Sequence, residues 1–127
     1  MTTSFNTKQF CDSWLAAWTG NQPEQLLKFY TNDAFYLDPA MKQGLKGHEQ
    51  LRAYFSKLLK YNPTWKWEAV EVMDTAKGFT MKWKATIPVG DKSITEYGLD
   101  IVELTEGKIS RNEVYFDRVE WMKAMQA

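Results

Sequence analysis

The sequence is short of the residues from which many sites are built. Cys11 is the only cysteine and His48 the only histidine in 127 residues. An intrachain disulfide and a cysteine-based zinc site are thereby excluded, and a histidine ligand or a Ser-His-Asp triad would rest on His48 alone. Long hydrophobic runs are missing too: no stretch approaches the ~18 apolar residues of a membrane span, and Met1 to Ser4 do not begin a charged-then-apolar leader. A cytoplasmic protein without membrane contact is expected. Charge of one sign is also lacking, because 16 Lys and Arg balance 16 Asp and Glu and both signs are scattered. Such a chain has no electrostatic footprint for nucleic acid. No repeat, linker or low-complexity tract interrupts it, so residues 1–127 are expected to form one domain.

Aromatic residues, in contrast, are plentiful. Six Trp, six Tyr and seven Phe exceed what a core of this size requires, which points to an apolar pocket or a large interface.

Hydrophobic periodicity divides the chain in two. From about Ser4 to Thr19, Phe10, Cys11, Trp14, Leu15 and Trp18 recur at helical spacing up to Gly20. Pro23 suits the first turn of a short helix reaching Tyr30, and residues 34–38 read as a strand stopped by Pro39. A loop containing Gly44 and Gly47 leads into a third helix carrying Leu51, Tyr54, Phe55, Leu58 and Leu59 and ended by Asn62-Pro63. The period then drops to two. Phe79, Met81, Trp83, Ala85 and Ile87 form one face of a strand, and strands at about 93–105 and 108–116 are joined through Glu106-Gly107. Trp65 and Trp67 are in phase with each other but not with Val70 and Val72, which predicts a bulge near Glu68. Helices first and antiparallel strands afterwards give an α+β fold.

Six local motifs occur in order: Trp14-Leu15-Ala16-Ala17-Trp18, Phe35-Tyr36-Leu37-Asp38-Pro39, Gly47-His48-Glu49-Gln50-Leu51-Arg52, Gly98-Leu99-Asp100-Ile101-Val102, Gly107-Lys108-Ile109 and Val114-Tyr115-Phe116-Asp117. Through them the chain resembles the nuclear transport factor-like (SnoaL-like) superfamily. That resemblance implies helices packed on a strongly curved, mainly antiparallel sheet, forming a cone around an internal pocket. The scaffold serves isomerases, dehydratases, cyclases and non-enzymatic modules, so it does not fix a reaction. From Trp14 to Lys60 the chain is also similar to bacterial ketosteroid isomerases. This likeness implies that Asp38 is the proton-shuttling base and Asp100 the donor to an oxyanion. Trp14 stands where that family has its oxyanion tyrosine, and an indole donates one hydrogen bond without being an acid.

The residues themselves allow two readings at each acid. Asp38 shares its face with Ala34 and Tyr36, where a desolvated carboxylate can serve as a general base, yet an Asp-Pro step also ends strands and caps turns. Asp100 lies among Leu99, Ile101 and Val102, and burial would keep it protonated and able to donate, an arrangement for which ketosteroid isomerase is the standard example. The alternatives are a bulge turning it to solvent or pairing with Arg111. Asp117, with Glu120 three residues on, reads as a helix cap, and His48 as a solvated first-turn residue. Arg111 and Glu113 fall on the outer face, opposite Asn112, Val114 and Phe116. An Asp-Arg-Asp epoxide-hydrolase site needs Arg111 inside and is disfavoured. Trp14, Trp18, Tyr54, Met81, Trp83, Asn112 and Phe116 make a candidate wall for a flat apolar ligand, with the Tyr54 hydroxyl free to bond it. The expectation is a pocket protein for a small apolar molecule, working by cofactor-free acid-base chemistry as an isomerase, cyclase or dehydratase, or else a non-catalytic binding or dimerisation module. Tyr97 and Tyr115, with Trp67 added, place an amphipathic surface outside the sheet and predict a homodimer.

Overall fold

A computed structural model describes residues 6–61, 63–119 and 122–123. Its elements are α1 (Thr7–Ala16), α2 (Pro23–Leu27), β1 (Tyr30–Asp38), β2 (Met41–Lys46), α3 (His48–Tyr61), β3 (Lys66–Asp74), β4 (Gly78–Val89), β5 (Lys92–Thr105) and β6 (Lys108–Tyr115). They make an α+β fold on one six-stranded sheet of order β2-β1-β6-β5-β4-β3, antiparallel except for the parallel β1–β6 pair. That parallel pair joins the N-terminal and C-terminal halves of the chain. It also brings Tyr36 beside Asn112, two residues before Asp38 on one strand and two before Val114 on the other.

Local chemistry explains the ends. Asn6 caps α1 by accepting the Gln9 N–H at 2.9 Å, and Cys11, Trp14 and Leu15 form the buried stripe. The chain leaves α1 through Gly20, whose N–H bonds to Pro63 O at 2.9 Å, while Thr19 Oγ1 donates to Trp65 O at 2.6 Å. These two bonds fasten the end of α1 to the start of β3. Leu51, Phe55 and Leu59 bury one face of α3, and Tyr54 and Leu58 flank it. Glu106 and Gly107 both have positive φ (52° and 79°), as a two-residue type I′ hairpin requires.

Three expectations need correction, while a fourth, the bulge near Glu68, is met within two residues. Tyr30 begins β1 instead of ending α2, which stops at Leu27, and its side chain is buried. The segment read as a loop contains β2, an edge strand with no alternating burial, whose Gly44 sits under the Phe35 ring where a Cβ would clash at 2.4 Å. The β3 bulge falls between Ala69 and Glu71, making Val70 the extra residue and leaving it half exposed. Consequently Trp67 stays in phase with Trp65 and points inward, not to the outer face. Of the helix expected after Asp117, Val119 and Met122 to Lys123 are helical, and Asp117 Oδ1 accepts the Val119 N–H at 2.9 Å. Glu120 and Asn62 lie outside the described residues.

Candidate functional site

The concave face of the sheet and the helices leave a cavity of about 100 Å³. Its walls are mostly rings. Trp67 stands edge-on to Trp83 with centroids 5.1 Å apart, and Trp83 is edge-on to Phe116 at 5.3 Å. Trp18 and Tyr54 close the helical side. Among the described residues, the charged ones that line this otherwise apolar space are Asp38, Asp100 and Arg118.

Asp38 ends β1 and is 7% exposed. Its Oδ2 accepts the hydroxyls of Tyr36 at 2.8 Å and Tyr54 at 2.6 Å; its Oδ1 accepts the backbone N–H groups of Ala40 and Met41, both at 2.9 Å. Both readings of this residue are therefore realised in one side chain: Oδ1 caps the turn after Pro39, and Oδ2 belongs to the cavity. Four donors replace the water that burial removes and fill the four acceptor positions of a carboxylate. Burial, and then the bond to Asp38, hold the Tyr54 phenol well above its ordinary pKa, and burial does the same for Tyr36. Both remain donors at neutral pH.

Asp100, on β5, is 4% exposed and faces inward. Trp83 Nε1 donates to its Oδ1 at 2.6 Å and Asn112 Nδ2 to its Oδ2 at 2.9 Å, while the Tyr30 hydroxyl donates to Asn112 Oδ1 at 2.8 Å. Burial pushes the Asp100 carboxyl up to about 7, against the lowering effect of the Asn112 and Trp83 bonds and with the help of the Asp38 charge. It thus changes charge near neutrality. Arg111 is not its partner: that guanidinium lies on the outer face, 2.9 Å from Glu103 and 2.6 Å from Glu113.

Of the wall residues anticipated from sequence, Trp18, Tyr54, Trp83 and Phe116 line the cavity. Trp14 and Met81 are instead fully buried in the core, and Asn112 sits behind Asp100 as its anchor. Trp14 packs against Phe10, Tyr30 and Phe79. Its indole N–H is near enough to oppose the rise in the Tyr30 pKa caused by burial, but outside hydrogen-bonding geometry. The Tyr54 hydroxyl is given to Asp38 rather than held free. His48 is half-buried, its Nε2 3.0 Å from Tyr30 O, and not a solvated residue. Sequence reasoning passed over Tyr36, Trp65, Trp67 and Arg118. The parity shared by Tyr36 and Asp38 could have found the first, and the Trp65–Trp67 phase the next two.

The SnoaL-like domain model matches residues 12–112. Among curated proteins there is no match. Solved structures share the fold at low identity. TerC, co-crystallised with polyporic acid, has 13% identity and a TM-score of 0.78 over 94% of this chain and 97% of its own. A ketosteroid isomerase-like protein from Catenulispora acidiphila, in complex with trimethylamine, has 18% identity and a TM-score of 0.75 over 88% of each chain. A proposed SnoaL-like polyketide cyclase from Jannaschia sp. CCS1 has 14% identity and a TM-score of 0.76 over 100% of this chain and 99% of its own.

Proposed function

We propose that this chain, which belongs to the SnoaL-like family, binds a flat and largely apolar ring compound and moves a proton at a carbon beside its carbonyl, as a cofactor-free isomerase, cyclase or dehydratase does. The observation that carries the reading is that two buried carboxylates, Asp38 and Asp100, line one aromatic cavity. Asp38 Oδ2 takes the proton from carbon, and protonated Asp100 donates a hydrogen bond to the enolate oxygen that forms. The proton held on Asp38 exchanges with solvent, and Asp38 then returns a proton to the carbon skeleton. For Oδ2 to accept it, one tyrosine must first release its bond. Tyr54, half-buried on a cavity-lining helix, is better suited to this than fully buried Tyr36. Trp18, Trp83 and Phe116 hold the ring.

The test is deuterium exchange into a panel of enolisable ketones by the wild type and Asp38→Asn. Asn keeps the size and one acceptor, so ligand affinity should persist while exchange falls by more than ~100-fold. Equal exchange by both proteins moves the base elsewhere. No exchange above buffer with ligands that demonstrably bind would remove the enzymatic reading.

One observation favours a second reading, a non-catalytic binding module: all four acceptor positions of Asp38 are already occupied. Further parts of the proposal are pairing of two copies through the outer sheet face, where Tyr97, Leu99 and Tyr115 are 51%, 43% and 48% exposed, and a cytoplasmic location. Among the described residues no helix is long and apolar enough to cross a membrane.

A further inference from the structure

Arg118 follows β6 and is the only cationic residue among the described residues lining the cavity. Its position contrasts with that of the other two arginines. Arg52 bonds to Glu24 at 2.7 Å, and Arg111 is held between Glu103 and Glu113. Arg118 has no carboxylate within ion-pair range and no ring stacked beneath its charge among the described residues. The described acids nearest to it, those lining the cavity and its sequence neighbour Asp117, are engaged elsewhere. Asp38 is filled by its four donors, both Asp100 oxygens accept from Trp83 and Asn112, and Asp117 Oδ1 caps Val119.

Arg118 is half-buried, and a guanidinium offers five N–H donors in a planar fork that matches a carboxylate, an attraction that strengthens where apolar walls exclude water. Its charge is felt inside the site, where it works against the upward shift of the Tyr54 phenol. A cation without an ion-pair partner among the described residues, beside an apolar space walled by aromatic rings, is matched by a ring with an anionic end.

We infer that the ligand is an aromatic or polycyclic carboxylate, its ring between Trp18, Trp83 and Phe116 and its carboxylate on the Arg118 guanidinium. This rests on the reading of the cavity as a ring-binding site and narrows it. Arg118 sets the orientation of the ligand as well, since a carboxylate fixed there directs the far end of the ring system inward, toward Asp38 and Asp100. A neutral ring of the same shape would bind without that anchor.

The experiment is calorimetric titration of the full chain with 2-naphthoate and with 2-naphthamide, which differ in charge and hardly in shape. The wild type should bind the carboxylate at least ~10-fold more tightly, the scale of a charge-assisted bond to a guanidinium. Arg118→Gln should bring the two affinities together, with the carboxylate losing far more than the amide. Arg118→Lys should keep part of the preference, because it retains the charge without the fork. Equal binding of both compounds by the wild type, or a preference that survives in Arg118→Gln, overturns the inference. Were the amide to bind and the preference to be absent, only the carboxylate assignment would fall. If neither compound bound, the ring-binding reading would fall with it.

Discussion

Gly98 lies directly across from Trp83 in the β4–β5 pair, and a Cβ added to it would sit 2.2 Å from Cζ2 of the indole. The missing side chain is what allows the ring to lie over β5 and bring Nε1 within 2.6 Å of Asp100, two residues along. A wall residue and the protonation of a buried acid are thus set by one hydrogen atom on the neighbouring strand.

Gly98→Ala should accordingly do more than crowd the core. The backbone here is outside the left-handed region, so alanine meets no conformational penalty and the clash is the main cost. A loss of ~1–3 kcal/mol is expected in urea denaturation, the usual range for overpacking. Pushing the indole away also removes one of the bonds that lower the Asp100 pKa, so that acid should titrate at higher pH than in the wild type. An unchanged midpoint would show that Trp83 can move aside freely.

Asp100 itself predicts how stability depends on pH. Its carboxyl is raised from 3.8 to about 7 on folding, so across that window the folded chain holds a proton that the unfolded chain has released. Stability must then fall as pH rises through the window, with the full penalty present above about 7 and none below 3.8. Asp100→Asn carries no such charge, though its amide meets two donors and should lower stability by a fixed amount. From pH 5 to 8 the thermal midpoint of the variant should therefore gain on that of the wild type. Parallel curves would mean that Asp100 does not ionise in this range.

The fold was legible where period and burial agree. The alternating run from Phe79 to Ile87 specified β4, and the stripe from Leu51 to Leu59 specified α3. Strand β2 was hidden because it is a short edge strand whose partial burial, at Met41, Gly44 and Leu45, does not alternate, and Gly44 reads as loop. At the site, strand parity put Asp38 and Asp100 beside apolar neighbours but left a turn cap at the first and a bulge or an Arg111 pair at the second open. Their partners were not legible. Tyr54 is 16 residues from Asp38 and Trp83 is 17 from Asp100, and only the packing of α3 and the β4–β5 register bring them together. Trp14 and Trp18 lie one helical turn apart on the same stripe, and periodicity cannot tell which reaches the cavity and which the core. Arg118 left no signal, since it follows the last strand where parity ends.

Assembly can be checked directly. The outer face of β5 and β6 exposes Leu99 between Tyr97 and Tyr115, bordered by the Arg111 ion pairs and by Lys82, whose Nζ lies 5.4 Å from the Tyr97 ring centroid. Light scattering at micromolar concentration should return twice the 14.8 kDa of the chain. Leu99→Lys should return a single copy with unchanged circular dichroism, because it buries a charge in the interface and disturbs nothing within the fold. A wild-type mass of one chain would remove the claim.

Asp38 serves two masters through its two oxygens, and this has an evolutionary consequence. Selection for folding alone would preserve the residue, because losing Oδ1 frees the N–H groups of Ala40 and Met41 in the turn that closes β1 onto β2. A lineage of this family could therefore lose turnover and keep the aspartate, or regain turnover without having to reinvent it. The positions that can drift are those with no share in the turn, Tyr54 and Arg118 among them. Changes there leave the Oδ1 cap of the turn in place.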